Sequence, residues 1–413
     1  MVKKTSAPHN PRFFLLTSKN KDDFLKIFVI CLVVSFQIIF SSYLYAEPYI
    51  PDNDAIVLQK LPASGDLKMQ AIRQLRSEWS KSPNELKPAV ELAHRYLEMA
   101  RSLADPRYEG YAQAALQFWW NMPQPPPEVL ILRATLRQRQ HDFKRALIDL
   151  ERALQIQPNN AQAWLTRAVI QQVQGDFQAA HRSCLPLLRL SDNLLATTCI
   201  ANITSLNGRA QESYQALRKA IEKASAANSK EKLWALTILA ETAERLGKYA
   251  EAEQHFQLAL KVDRTDSYLL GAYSDFLLDQ HRPEDVQTLL QQPNQSDALL
   301  LRLALAAQQL NSPKLQSYIE TLKSRFAVNR LRGEAQHLRE EARFTLHLLH
   351  QPEQALKLAV VNWRIQREPW DARILLEAAL QHNDRAVAQP VIDWLRSVNL
   401  EDGKLDGLMR QLS

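Results

Sequence analysis

Residues 127–160 read PEVLILRATLRQRQHDFKRALIDLERALQIQPNN, and residues 161–193 continue with AQAWLTRAVIQQVQGDFQAAHRSCLPLLRLSDN. At an offset of 34 residues, Ala134 falls over Ala168, and an Asp-Phe pair falls at the same point of each block. Apolar residues recur at helical spacing on both sides of that pair, so each block predicts two helices. The small residue at the matching position lets those helices approach closely.

Further copies of this unit follow along the chain. The strongest is Leu233–Asp266, LWALTILAETAERLGKYAEAEQHFQLALKVDRTD, in which Ala240 and Gly247 keep the register. A 34-residue period of paired helices resembles the tetratricopeptide repeat. That resemblance implies an all-α fold, a right-handed superhelical solenoid of helix-turn-helix repeats. Less regular copies are predicted at Asn193–Ala227, Ser267–Gln292, Asp297–Arg325, His337–Pro369 and Trp370–Val398.

Three other strings resemble a subfamily of exported bacterial tetratricopeptide-repeat proteins. They are RYLEMARSLADPRYEGYAQAALQFWW, HLREEARFTLHLL and NWRIQREPWDARILLEAAL. This resemblance implies export and the repeat fold, and it implies no particular mechanism. The predicted organisation is a signal peptide or membrane anchor at 1–46, an extended or helical lead-in at 47–85, a divergent helical pair at 86–126, core repeats at 127–266, degenerate repeats and a C-terminal cap at 267–400, and a tail at 401–413.

Composition and charge argue against several other classes of protein. The chain has 9 Gly in 413 residues, and both phosphate-binding loops and β-hairpins depend on Gly. Most of the net charge of +6 belongs to residues 1–46, which hold six basic and two acidic side chains. Since the remainder is close to neutral, it lacks the electrostatic footprint of a nucleic-acid-binding protein.

The N-terminal segment predicts export. A basic stretch ends at Lys26, the apolar run Ile27–Phe40 follows, and Ala46 precedes a polar break. This is the pattern of a cleaved signal peptide, although Leu44 stands where a small residue is preferred. Residues 27–46 are also just long enough to cross a bilayer, so an uncleaved inner-membrane anchor is the alternative. Both alternatives place the body of the chain outside the cytoplasm, in the periplasm.

A solenoid of this kind presents the first helix of each repeat on its concave side, where a protein or peptide partner can bind. Trp234 is the strongest candidate for an anchor because aromatic residues dominate interface energies, and packing across the repeat boundary is its alternative. Glu244 lies at a further inward position. The residues predicted to contact a partner are Gln138, Gln162, Leu165, Val169, Gln172, Thr198, Asn202, Trp234, Thr237 and Glu241.

Two cysteines lie in consecutive predicted helices. Cys184 is about as far before the intervening turn as Cys199 is after it. Equal distance from the turn brings the two side chains to equal height, so a disulfide is predicted in an oxidising compartment. Two buried free thiols are the alternative.

The sequence gives little support to metal binding or catalysis. It contains no phosphate-binding loop or nucleophile-elbow motif, so no cofactor and no catalytic residue are predicted. One helical stretch holds a set that is interpreted as a solvated face, and no metal is predicted there: His337, Glu340, Glu341, His347 and His350. An alternative to a packed terminal cap is an enzyme site formed by Arg343, Trp363, Arg367, Glu368 and Trp370.

The leading hypothesis is therefore a non-catalytic scaffold that binds a protein or peptide outside the cytoplasm. The second hypothesis is an assembly factor for exported or metal-handling envelope proteins. The third is an enzyme with its site in the C-terminal repeats. A fold alone does not choose among these hypotheses.

Overall fold

The computed structural model describes residues 67–103, 105–224, 228–291, 296–331 and 337–412. All of them belong to one compact unit, Gly65–Ser413. Every regular element in these ranges is a helix, which confirms the all-α prediction. The segment predicted as a signal or anchor lies outside the described residues. None of the described helices is both long enough and apolar enough to span a membrane.

The helices follow one another with short connections. In the N-terminal half they are α1 Leu67–Lys81, α2 Leu86–Leu103, α3 Arg107–Ala115, α4 Gln117–Trp120, α5 Pro127–Arg139, α6 Phe143–Ile156, α7 Ala161–Val173, α8 Phe177–Cys184, α9 Leu187–Leu190, α10 Asn193–Ser205 and α11 Ala210–Lys223. Helices adjacent in the chain pack as pairs, for example α5 with α6 and α7 with α8.

The C-terminal half continues the same pattern. Its helices are α12 Ser229–Arg245, α13 Tyr249–Val262, α14 Ser267–Asp279, α15 Pro283–Leu289, α16 Asp297–Gln309, α17 Leu315–Leu331, α18 Leu338–His347, α19 Pro352–Trp363, α20 Pro369–His382, α21 Arg385–Ser397 and α22 Gly403–Leu412. The pair α12 and α13 is the strongest predicted copy, and its two helices pack along their length.

From α5 onward, a left-handed residue ends the first helix of each pair and directs the chain into the second. Gly175 has a φ of 78° and Gly247 a φ of 71°. At the corresponding turns the non-Gly residues His141 and His281 take φ values of 58° and 56°. The spacing from His141 to Gly175, and from Gly247 to His281, is the predicted 34 residues. His and Asn are among the few non-Gly side chains that tolerate this conformation.

The small residues at the repeat register are buried between helices, as predicted. Ala134, Ala168 and Ala240 are at most 1% exposed, and their size allows the paired backbones to approach. Arg133, next to Ala134, is also buried and has a structural role. Its guanidinium donates two hydrogen bonds of 2.8 Å to the buried carboxylate of Asp149. Bidentate pairing of this kind compensates the burial of both charges.

The segment described from the sequence as a tail contains the helix α22. Asp402 accepts hydrogen bonds from the backbone N–H groups of Lys404 and Leu405 at 2.9 and 3.1 Å, and so caps α22. Leu405 and Leu412 are buried and pack against the C-terminal core. An Asp followed by Leu residues at helical spacing is a recognisable helix start.

The C-terminal helices pack against repeats much earlier in the chain. The backbone N–H of Arg367 donates to the carbonyl of Val173 at 2.7 Å. Trp394 of α21 lies against Phe177, with 5.8 Å between ring centroids, and Asn399 lies beside Gly208. We call this set of contacts the return contact. The return contact places C-terminal helices next to the first helices of earlier repeats. The sequence predicted that those first helices face an open groove.

Candidate functional site

A cavity lies where the first helices of several repeats meet the C-terminal helices. Its volume is about 990 Å³, including space open to solvent. One wall comes from the ends of α7, α10, α12 and α14, and the facing wall comes from α18, α20 and α22 with the segments before them. The cavity is lined by Gln172, Asn202, Leu206, Glu241, Glu244, Arg245, Tyr249, Tyr268, Ala272, Asp279, Gln280, Arg339, Glu368, Pro369, Trp370, Arg373, Asp402, Gly403, Lys404 and Leu405.

Helix geometry brings the carboxylates of this cavity into place. Glu241 and Glu244 are three residues apart on α12, so they share one face. Glu368 and Asp371 form a capping box at the start of α20, in which Asp371 accepts the N–H of Glu368 at 2.8 Å. Asp402 is held by the first N–H groups of α22. Carboxylates are stabilised at helix starts because unpaired backbone donors point towards them there.

The arginines of the C-terminal wall are engaged in ion pairs. Arg339 binds Asp371 at 2.6 Å and Glu368 at 2.5 Å. Arg373 binds Asp279 at 2.6 Å and Glu377 at 2.7 Å. These carboxylates, together with the others near each arginine, outweigh the effect of burial and raise the pKa of both guanidinium groups. Both arginines therefore stay charged, with their charge compensated by the protein itself.

An aromatic ring and a buried acid hold further arginine side chains in place beside this wall. The guanidinium carbons of Arg343 and Arg373 lie 4.3 and 4.2 Å from the ring centroid of Trp370. Arg343 also pairs with the buried carboxylate of Asp275 at 2.6 Å, and Arg302 pairs with it at 2.5 Å. Burial opposes the ionisation of Asp275, but these two arginines outweigh it and lower its pKa. The wall is a packed polar network.

The carboxylates on α12 have a different environment. The Glu241 carboxylate accepts one hydrogen bond, from the Tyr268 hydroxyl at 2.9 Å. The Glu244 carboxylate has neither an ion pair nor a hydrogen bond among the described residues. Burial raises the pKa of Glu241 to about 7. Burial, together with the charges of Asp279, Glu241, Asp275 and Asp402, raises the pKa of Glu244 to about 8. Burial also raises the pKa of Asp402.

Arg245 is the lining cation that has no carboxylate within ion-pair distance in the described part of the chain. Its Nη2 donates to the hydroxyls of Ser205 and Thr242 at 2.9 and 3.3 Å. Its Nε is buried and has no hydrogen-bond partner. The guanidinium is thus held by neutral hydroxyl groups at the edge of the acidic cluster.

Three of the residues predicted to contact a partner line this cavity: Gln172, Asn202 and Glu241. The amide of Asn202 donates to the Gln172 side chain at 2.7 Å, which links neighbouring repeats. Thr198 and Thr237 are buried instead, and each hydroxyl donates to the carbonyl four residues earlier, at 2.7 and 2.9 Å. Their side chains are therefore not available to a ligand.

The other predicted contact residues lie away from the cavity lining. Trp234 is half-buried and packs against apolar clusters on both sides of a repeat boundary, the alternative considered for it. Leu165 packs against the cluster around the disulfide. Gln162 is exposed, with its side-chain amide on Thr166 at 3.0 Å. Gln138 and Val169 are half-buried.

Sequence reasoning did not identify Tyr268 on α14, or Arg339, Arg373 and Asp402 on the facing wall, and it considered Trp370 only for an enzyme site. Their positions depend on contacts between segments roughly a hundred residues apart, which a repeat period does not encode. The helix-start signals at Glu368 and Asp402 were readable, since each acid precedes an apolar run at helical spacing. They locate two carboxylates at helix ends without revealing that those ends converge.

The structure contains a disulfide between Cys184, at the end of α8, and Cys199 in α10. Their Cα atoms are 5.8 Å apart, and both residues are buried among apolar side chains. The bond ties the second helix of one repeat to the first helix of the next. It therefore crosses a repeat boundary close to the segments that carry Gln172 and Asn202.

The His- and Glu-rich stretch near α18 does not converge on a single point. Glu341 pairs with Arg330, and His347 Nε2 lies 3.0 Å from Glu377. His350 takes a left-handed turn conformation with a φ of 54°. Across the described ranges, no group of three or more His, Cys, Asp or Glu side chains is arranged to hold a metal ion.

The residues considered for an enzyme site take part in structural contacts. Trp363 packs edge-on against Trp394, with 5.2 Å between centroids. The guanidinium of Arg367 lies 5.8 Å from the Trp363 ring. Arg343 and Trp370 belong to the wall network, and Glu368 caps α20. These contacts are those of a packed terminal cap.

Comparison with known families matches residues 192–265 to the tetratricopeptide repeat. The chain contains tetratricopeptide repeats. The match covers the predicted copies Asn193–Ala227 and Leu233–Asp266, whose turn glycines are in the left-handed conformation. Proteins built from this repeat serve in general as interaction scaffolds. Comparison with curated proteins gives no match.

Several solved structures are similar to this chain. PilF of Pseudomonas aeruginosa is 19% identical over 49% of this chain and 92% of that chain, with a TM-score of 0.37. PilW, a widely conserved type IV pilus biogenesis factor, is 19% identical over 49% and 94%, with a TM-score of 0.38. A tetratricopeptide repeat protein from Parabacteroides merdae is 14% identical over 75% and 99%, with a TM-score of 0.37. At these TM-scores the similarities carry no argument about function.

Proposed function

We propose that this chain is a non-catalytic adaptor that binds a segment of a partner protein. The segment binds in the cavity between the wall formed by α7, α10, α12 and α14 and the C-terminal wall formed by α18, α20 and α22. The observation that carries the proposal is the convergence of unpaired carboxylates, an amide pair and tyrosines on one cavity of about 990 Å³. Much of that volume is open to solvent, so the cavity accepts the end of a side chain from a segment that lies across its mouth. Repeat arrays bind such segments through amides that hold backbone groups and pockets that hold side chains.

The chemistry of the lining fits binding better than turnover. The arginines of the C-terminal wall are held in ion pairs, and the cap residues are held by aromatic packing. Within the described part of the chain, the carboxylates on α12 and that of Asp402 are left without an ion pair, and the lining contains no Ser, Thr, Cys or His beside them. We therefore propose a binding role without a catalytic step.

We also propose that the adaptor acts outside the cytoplasm, in the periplasm, either free or held at the inner membrane by residues 27–46. The export pattern of residues 1–46 supports this location. The Cys184–Cys199 disulfide supports it independently, because such bonds persist in oxidising compartments.

Site-specific photo-crosslinking in cells tests the binding proposal. A photoreactive phenylalanine replaces Tyr268, which lines the cavity and is 59% exposed. The matched control replaces Tyr111, which is 52% exposed and does not line the cavity. We expect a discrete adduct with a partner protein from position 268 that is absent from position 111. The same products from both positions, or no product from position 268, would refute binding in the cavity.

A further inference from the structure

We propose that the cavity binds an alkylammonium or guanidinium group against the carboxylates of Glu241, Glu244 and Asp402, with a Lys or Arg side chain of the partner segment as its source. This inference rests on the proposed adaptor function and specifies the chemistry of the partner. Among the described residues, carboxylates without an ion pair outnumber cations without an ion pair in the lining.

The ion pairs of the C-terminal wall leave an excess of negative charge in the cavity. Glu368 and Asp279 are neutralised by Arg339 and Arg373. Lys404 also lies towards Asp279, at 3.6 Å. After this pairing, three lining carboxylates and one guanidinium remain without an ion pair among the described residues: Glu241, Glu244, Asp402 and Arg245. The lining is therefore complementary to a cation.

Glu244 is an unpartnered carboxyl that points into this space. Its side chain is half-buried, and it borders the cavity. The charges with the largest effect on its pKa, those of Asp279, Glu241, Asp275 and Asp402, are negative. A half-buried carboxyl without an ion pair is stabilised when a cation enters, because the cation supplies the missing pair and hydrogen-bond donors.

An anionic ligand would be less compatible with the same site. The lining cation without an ion pair in the described ranges is Arg245, whose Nη2 is already hydrogen-bonded to Ser205 and Thr242. An anion at that guanidinium would also face Glu241, which is close enough for Arg245 to affect its pKa, and Asp402, for which the same holds. Like charge at this range disfavours binding.

The aromatic groups of the lining suit the aliphatic stem of a basic side chain. Tyr249 and Tyr268 are 42% and 59% exposed, and both border the cavity. A tyrosine face attracts a cation and also packs against methylene groups. Trp370 shows that guanidinium groups stack in this environment, since Arg343 and Arg373 already lie over its ring.

Titration of the full-length protein with small probes tests the inference by calorimetry at pH 8. The probes are Nα-acetyl-lysine amide, its uncharged analogue Nα-acetyl-norleucine amide, cadaverine as a free amine, and glutarate as an anion. We expect the lysine probe to bind at least tenfold more tightly than the norleucine probe. Equal affinity of these two probes, or preferential binding of glutarate, would overturn the proposal.

Matched variants connect the binding to the acidic cluster. Glu244→Gln is expected to weaken the lysine probe by fivefold or more, and Glu241→Gln provides a second variant with the same expectation. The control is Glu251→Gln, which makes the same chemical change at an exposed residue outside the cavity. Unchanged affinity in both cavity variants, with all proteins folded by circular dichroism, would also overturn the proposal.

The probes separate the two possible sources of the cation. Preference for the lysine amide over cadaverine supports a side chain presented by a protein segment, whereas preference for cadaverine contradicts that source. The crosslinking experiment at Tyr268 reports a partner protein whatever its charge. A partner that crosslinks there while the lysine probe fails to bind would refute the cation and leave the adaptor function in place.

Discussion

The return contact makes a quantitative prediction at Gly175. Replacing it with Ala adds a Cβ that would lie 2.8 Å from Trp394 Cζ2 and 3.2 Å from Arg367 Cδ. Gly247 occupies the corresponding turn two repeats later, and a Cβ there would meet no atom within 4 Å. The two glycines have φ values of 78° and 71°. The pair thus separates the cost of the backbone conformation from the cost of the return contact.

The backbone part is nearly the same for both substitutions. An L-residue in the left-handed region costs about 1–2 kcal/mol, and Ala recovers about 0.4–1 kcal/mol by restricting the unfolded chain. Gly247→Ala should therefore lower the free energy of unfolding by about 1 kcal/mol. Gly175→Ala adds overpacking against Trp394, which costs about 1–3 kcal/mol more. Gly208→Ala should fall between them, because its Cβ would lie 3.0 Å from Asn399 Cβ.

Urea denaturation of the three variants measures these differences. Hydrogen exchange gives a local reading, because the Arg367 N–H that donates to Val173 spans the return contact. We expect faster exchange of that amide in Gly175→Ala and wild-type exchange in Gly247→Ala. Equal destabilisation by the two substitutions, with the Arg367 amide equally protected, would refute the return contact.

Three further predictions concern buried charge and the disulfide. Asp275→Asn leaves two buried guanidinium groups uncompensated and should cost about 3–5 kcal/mol in urea denaturation, whereas Glu353→Gln at an exposed pair should leave the midpoint unchanged. Burial raises the pKa of Glu244 from 4.5 to about 8. The folded state therefore favours protonated Glu244, and the free energy of unfolding falls as the pH rises from 4.5 through 8. The free energy of unfolding of Glu244→Gln, relative to that of wild type, should therefore rise by about 1–2 kcal/mol between pH 5 and pH 9, after discounting for hydration of the cavity. Parallel pH profiles of the two proteins would contradict this. Reducing Cys184–Cys199, which closes a 15-residue loop, should lower the free energy of unfolding by about 3 kcal/mol, and a Cys184→Ser variant should then show no response to reductant.

The repeat register was predictable because its determinants are local. A small residue must sit where two helices touch, so Ala134 and Ala240 could be aligned from the sequence alone. The turn was only partly recognised. Gly247 was identified as keeping the register, but His141, His281 and His350 take the same left-handed conformation and were not recognised as turn residues. Register alone could have found them, since His141 precedes Gly175 by 34 residues.

The cavity was predictable on one side only. Helical periodicity places Glu241 and Glu244 on one face of α12, and in the structure both residues line the cavity. The wall that carries Trp370 and Asp402 depends on how the small rotation from each repeat to the next accumulates along the array. A change of a few degrees per repeat would separate those residues from α12, and no sequence motif reports that angle.

The same geometry explains why the two walls differ in charge pairing. Arg339 and Arg373 are paired within the C-terminal helices and with α14, so that wall is stable without a ligand. Glu244 has no such partner, and its burial costs stability at neutral pH that Gln in its place would recover. Natural proteins retain such a cost where function depends on it. The unpaired side of the cavity is therefore the side on which a ligand's charge has the most effect.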